Sequence, residues 1–298
     1  MNHDISLGPV VAGVDGSARA RAAVLWAAEE AQSRGQSLHL VHATGTDKHV
    51  LHTTAASLEG VQEAGRDLLA ETAELVAERY PAVAVTTELS PLDAVAALRE
   101  AAGSEGTVVV GSRGLGGFGA LLLGSVSLGV SAGAKVPVMV VRGEDTDEPA
   151  SAGTVVVAAV RGQDDLPWAR YAAHEASLRK AGLRLLTVWA PLSHVGTELT
   201  LLDDIDGVAK ERVHEIGQLA GTLREEFPDL DVTTEVEGAR SVPGLLVEST
   251  RDAALLVLGA HRPPLGIGHA LGHVTHAVLH HAHCPVAIIP RAPRPDEE

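Results

Sequence analysis

A strand-like run, Val108-Val109-Val110, ends in Gly111-Ser112-Arg113-Gly114, and after nine further residues Gly124-Ser125 opens a helical pattern. Glycines let backbone N–H groups approach an anion with no side chain in between, and a helix start adds unpaired N–H groups at the positive end of its dipole. Ser125 contributes a hydroxyl donor and Val126 another backbone N–H. The chemistry this spacing supports is phosphate binding by fixed dipoles, although a loop that only turns the chain would use the same glycines. Two other phosphate motifs overlap this one and fail. Gly114-Leu115-Gly116-Gly117-Phe118-Gly119 fits G-x-G-x-x-G, but it follows the fourth apolar run, and Ala134 to Met139 offer no carboxylate for a ribose hydroxyl. Gly119 and Gly124 have the glycine spacing of a P-loop, yet Ser125 stands where its lysine should be.

Asp15 closes the first apolar run, where a carboxylate can accept hydrogen bonds from ribose hydroxyls; a helix N-cap or Asx-turn role before the helix near Ala18 is the competing reading. Of 15 histidines, seven fall between His261 and His283. His269, His273, His276 and His280 are spaced four, three and four apart and can share one helical face. No carboxylate or other further ligand type lies near them, so they read as polar surface and no metal is assigned. Their protonation on mild acidification would offset much of the chain's negative charge. Cys284, before Pro285 at a strand start, reads as a buried, inert thiol.

The elements that must position these residues occur twice. Val11 to Ser17 is similar to Val157 to Gln163 at an offset of 146 residues, and Gly35 to Ala43 to Gly182 to Ala190 at 147. Thr86-Thr87-Glu88 returns as Thr233-Thr234-Glu235, while Val108 to Gly111 and Val136 to Val138 return at 148 as Leu256 to Gly259 and Cys284 to Val286. Landmarks in one order with so little drift mean a duplicated domain. The acidic segment Gly143 to Ser151 joins the halves as a linker. In the first half apolar runs near Pro9–Val14, Leu38–Ala43, Val83–Leu89, Thr107–Val110 and Pro137–Val141 alternate with helical patterns near Ala18–Arg34, Leu58–Arg79, Leu92–Ala102 and Ser125–Ala134. That alternation gives an α/β class with two tandem doubly wound domains, each a five-stranded parallel sheet flanked by helices. A ligand crevice is then expected at the carboxyl ends of the strands, where strand order reverses.

Gly111, Gly114, Gly124 and Ser125 fit G-x2-G-x9-G-[ST], and with Asp15 closing strand one and Pro137-Val138 opening strand five, the first half resembles an ATP-binding universal stress protein domain. Over its whole length the chain resembles a tandem pair, with domains at 1–144 and 152–292. The resemblance implies a Rossmann-like, adenine nucleotide alpha hydrolase-like fold. It places Gly13 and Asp15 at the nucleoside, Val41 at the adenine edge through its backbone and Gly111 by the ribose. Gly114, Gly124, Ser125 and Val126 would cradle the phosphates of ATP, with or without Mg²⁺. It also implies a stress-response regulator whose nucleotide occupancy alters the surface offered to a protein partner. The second half departs from the motif: Arg161 replaces the aspartate, Arg262 the second glycine and His273 the serine, while Pro263-Pro264 removes two N–H donors. Nucleotide should bind there weakly, or Arg161, Arg262 and His273 hold some other anion by charge.

Composition narrows the function further. Aromatic residues make up 2% of the chain, so Ala, Val and Leu must fill the core. A net charge of -16 argues against broad binding to nucleic acid or to anionic membranes. One cysteine excludes an internal disulfide and suits a cytoplasmic protein, and no signal peptide is visible. The 21 uncharged residues from Gly114 to Ala134 contain seven glycines and three serines, too little apolar surface for a membrane span. No nucleophile stands with a base and no lysine reaches from the glycine loop, so no catalytic residue is assigned. A slow ATPase or phosphotransferase and a nucleotide-free interaction module are the competing functions. Strands near Val138 and Val286 suggest a homodimer of tandem chains.

Overall fold

A computed structural model of the protein describes residues 8–48, 54–114, 123–142, 153–190, 192–195, 198–201, 205–260 and 271–290. The chain divides into two compact units, one containing Ile5–Ala150 and the other Ser151–Ile267 with Leu271–Glu298.

In the first unit the elements run β1 (Val10–Gly13), α1 (Ala18–Arg34), β2 (Leu38–Ala43), α2 (Ala55–Arg79), β3 (Val85–Ser90), α3 (Ala94–Ala102), β4 (Thr107–Gly111), α4 (Ser125–Ala132) and β5 (Val138–Val141). The strands are parallel and lie in the order β5-β4-β1-β2-β3. Because β1 pairs with both β2 and β4, the chain builds outward on one side of β1 and then on the other, and the strand order reverses between β1 and β4. Val10, Val11 and Ala12 of β1, Val108 to Val110 of β4 and all of β5 are buried, as expected of strands covered on both faces. Local chemistry sets the helix starts. Ser17 Oγ accepts from the Ala20 N–H at 3.1 Å, Thr54 Oγ1 from Ser57 at 3.2 Å and Asp93 Oδ1 from Ala96 at 3.1 Å. The Thr54 cap starts α2 three residues before the apolar pattern suggests. Gly35, in the left-handed region at φ 63°, ends α1 and turns the chain into β2.

The second unit repeats the plan with β6 (Val155–Ala159), α5 (Leu166–Arg179), β7 (Gly182–Trp189), α6 (Ile205–Glu226), β10 (Val232–Gly238), α7 (Val242–Glu248), β11 (Ala253–Gly259), α8 (His273–His281) and β12 (Val286–Ile289). Its sheet has the corresponding order, β10-β7-β6-β11-β12, and is again parallel. Between β7 and α6 it adds an antiparallel pair, β8 (Leu192–Val195) and β9 (Glu198–Leu201), which sequence periodicity did not suggest. Among the described residues no helix is long and apolar enough to cross a membrane.

Candidate functional site

A cavity of about 510 Å³ opens in the first unit at the carboxyl ends of β1, β2 and β4 and the N-terminus of α4. Small-molecule sites span roughly 300–1,000 Å³, so the size suits a ligand. Gly13, Asp15, Val41, Gly111, Gly114, Gly124, Ser125 and Val126 all line it. Each does so for a separable local reason.

Asp15 leaves β1 and bends the chain toward α1: its Oδ1 accepts from the Ser17 N–H at 2.9 Å, while Ser17 is itself the N-cap. Asp15 is therefore an Asx-turn residue and a wall of the cavity at once. Its Oδ2 lies against Gly114, where an added Cβ would come within 2.1 Å of that oxygen. Gly111 is needed for a different contact. A Cβ there would stand 2.8 Å from the Arg19 carbonyl oxygen, so the bare backbone lets the end of β4 meet the start of α1.

Gly124 is the N-cap of α4 and offers no side-chain cap, and its own N–H donates to the Ser112 carbonyl at 2.8 Å. The donors that face outward from the helix start are thus the N–H groups of Ser125, Val126 and Ser127, which have no intrahelical acceptors. Ser127, buried, donates through Oγ to the Gly111 carbonyl at 2.7 Å and pins the first turn of α4 to the end of β4. The Val41 carbonyl accepts from the Val14 N–H at 2.9 Å, so only its second lone pair is left for a ligand. A Cβ added at Gly13 would lie 3.4 Å from the nearest methyl of Leu98, an ordinary contact.

Sequence reasoning missed part of this wall. Ser127 belongs to the site through the Gly111 bond, and its position two residues beyond Ser125 was the available signal. His42, which the sequence does place at the carboxyl end of strand two, stands there in the wall, with Nδ1 2.7 Å from the Val14 carbonyl oxygen. Ala94, Leu98 and Leu123 give the cavity an apolar side that no motif announces. Arg113 also lines it, and burial followed by the charges of Arg113 and Arg19 lowers the Arg142 pKa.

The second unit has a cavity of about 320 Å³ in the corresponding place, lined among others by Arg161, Gly259, Gly272 and His273. Arg161 stands at the end of β6, its N–H donating to Asp165 Oδ2 at 2.8 Å and its Nε 3.5 Å from the same oxygen. Arg262, Pro263, Pro264 and His269 lie outside the described residues. The His276 and His280 ring centroids lie 4.4 Å apart on α8, the rings tilted by 35°. Among the described residues no group of three or more His, Cys, Asp or Glu is placed to hold a metal. Cys284 is 1% exposed, and burial pushes its thiol pKa up to about 12.

These features define a class: a duplicated, doubly wound α/β protein with a ligand-sized cavity at the switch point of its first sheet. The model of the universal stress protein family matches residues 7–142 and again 153–290, and the chain belongs to that family. A universal stress protein of Mycolicibacterium smegmatis is 31% identical over 290 residues, covering 94% of this chain and 96% of its own length. One from Mycobacterium tuberculosis is 30% identical over 285 residues, covering 94% and 96%. In fold the chain is similar to the crystal structure of a universal stress protein from Archaeoglobus fulgidus, with a TM-score of 0.69, 16% identity and 98% and 99% of the two chains covered.

Proposed function

We propose that the first unit binds ATP and that its occupancy alters the surface the protein offers a partner, as a cytoplasmic regulator in the stress response. One observation carries this reading: the Asp15 carboxylate, for which Gly114 leaves room, and the uncapped N-terminus of α4 converge on a single ligand-sized cavity. An acidic acceptor at one end suits ribose hydroxyls, and outward N–H groups at the other suit phosphate oxygens. Arg113 reinforces the phosphate end. Gly13, Val41 and the apolar side formed by Leu98 and Ala94 suit a purine. Gly124 serves as a cap without a side chain, leaving Ser125 and Val126 as the donors.

Asp15 is the one carboxylate among the described residues lining the cavity, so Mg²⁺ accompanying ATP would be held chiefly by phosphate and water. The functional division follows domains at 1–144 and 152–292, and the tandem chain works as a homodimer, which light scattering on the purified protein tests. Mass spectrometry of small molecules released by denaturing the purified chain tests the ligand. Recovery of ATP is expected. A chain that yields no nucleotide and takes up none when ATP is added overturns the reading.

A further inference from the structure

We infer that the cavity of the second unit is a site for a small anionic amphiphile, a carboxylate on an aliphatic body, distinct in chemistry from the ligand of the first unit. The inference does not depend on ATP binding in the first unit.

The two cavities are related by the repeat, and the differences between them run in one direction. Gly13 is replaced by Ala159, Ala94 by Val242 and Val110 by Leu258. Each exchange adds aliphatic volume, and the space falls from about 510 to about 320 Å³. Val160, Leu186, Val188, Val242, Leu246 and Leu258 leave a wall with no side-chain hydrogen-bonding group.

Among the described lining residues the polar side chains are Arg161, His273 and Thr275, and each of them can donate. Arg161 replaces Asp15, and a guanidinium has five N–H donors and no acceptor, so a ribose hydroxyl has nothing to donate to. Asp165 Oδ2 accepts from the Arg161 backbone N–H and lies 3.5 Å from its Nε, leaving the terminal nitrogens of the fork available. Gly272 caps α8 without a side chain, as Gly124 does α4, so the first-turn N–H groups of this helix are left without intrahelical acceptors. Thr275 adds an independent sign. Its side chain is only 5% exposed and lines the cavity, yet among the described residues nothing hydrogen-bonds its hydroxyl; the counterpart Ser127 donates to Gly111. Facing the cavity, the Thr275 hydroxyl is open to a ligand as donor. Donors at one end and hydrocarbon at the other match a ligand with a single anionic head.

The test is isothermal titration of sodium octanoate, below micelle formation, into the full chain with and without saturating ATP. Emission of Trp168 gives a second readout, since an added Cβ on Gly259 would come within 2.8 Å of its ring. Octanoate is expected to bind at one site per chain with the same affinity in both conditions. Arg161→Gln, at a side chain 65% exposed, should keep the fold and weaken octanoate about tenfold or more. Leu246→Trp should fill the cavity and remove binding, and neutral 1-octanol should bind at least about tenfold more weakly than octanoate. Absence of saturable octanoate binding, an unchanged affinity in Arg161→Gln, octanol binding as well as octanoate, or displacement of octanoate by ATP would each overturn the inference.

Discussion

Replacing Gly114 by alanine adds one methyl group at the point where the glycine loop meets the strand-one carboxylate. The new Cβ would lie 2.1 Å from Asp15 Oδ2, well inside van der Waals contact. An aspartate side chain can turn aside, but Asp15 is anchored by the 2.9 Å bond from the Ser17 N–H and turning strains or breaks it. The folded state then loses about 1 kcal/mol, the usual net value of one hydrogen bond. On the proposed reading ATP binding loses more, because the carboxylate leaves the position from which it would accept from the ligand. A charged hydrogen bond is worth about 1.5 to 3 kcal/mol, so affinity should fall roughly ten- to a hundredfold. Isothermal titration of Gly114→Ala, Asp15→Ala and the double variant isolates the cause. If the carboxylate is what the glycine makes room for, the methyl group enters space vacated in Asp15→Ala. The double variant should then match Asp15→Ala to within about 0.5 kcal/mol. Fully additive losses would refute this reasoning and show that the Gly114 backbone must itself approach the ligand.

Ser127→Ala leaves the Gly111 carbonyl without its 2.7 Å donor in a buried setting, and should lower unfolding free energy by about 1 to 3 kcal/mol in urea titrations. Gly259→Ala would press a methyl group to within 2.8 Å of the Trp168 ring, overpacking that costs about 1 to 3 kcal/mol and shifts tryptophan emission. Cys284 contributes a pH dependence of known sign. Its pKa is about 12 when folded against an ordinary 9.0, so the native state keeps its proton longer and stability falls as pH rises from 9.0 toward 12. Wild type should lose stability relative to Cys284→Ala across that window and react negligibly with thiol reagents at pH 8; parallel pH curves would contradict the shift.

The fold was legible because apolar runs buried on both faces carry their own signature, and because the repeat shows each landmark twice. The pair β8–β9 was not legible: it falls in the interval between Trp189 and Ile205, where no long alternation marks strands. At the site, Gly124-Ser125 reads as a helix start from spacing alone, but the role of each glycine is a matter of contact. Gly111 meets the Arg19 carbonyl, Gly114 meets Asp15, and Gly124 hands its N–H to Ser112. Those are tertiary facts that no local pattern encodes. Asp15 shows why two local readings need not compete, since one carboxylate oxygen makes the Asx turn while the other lies against Gly114.

The central claim is that ATP enters the first unit and not the second, and the stoichiometry of ATP binding to the full chain tests it most directly. Isothermal titration should give one site per chain, lost or strongly weakened in Asp15→Ala and unchanged in Arg161→Gln. Two equivalent tight sites, no site, or a single site that responds to Arg161 and not to Asp15 would contradict it.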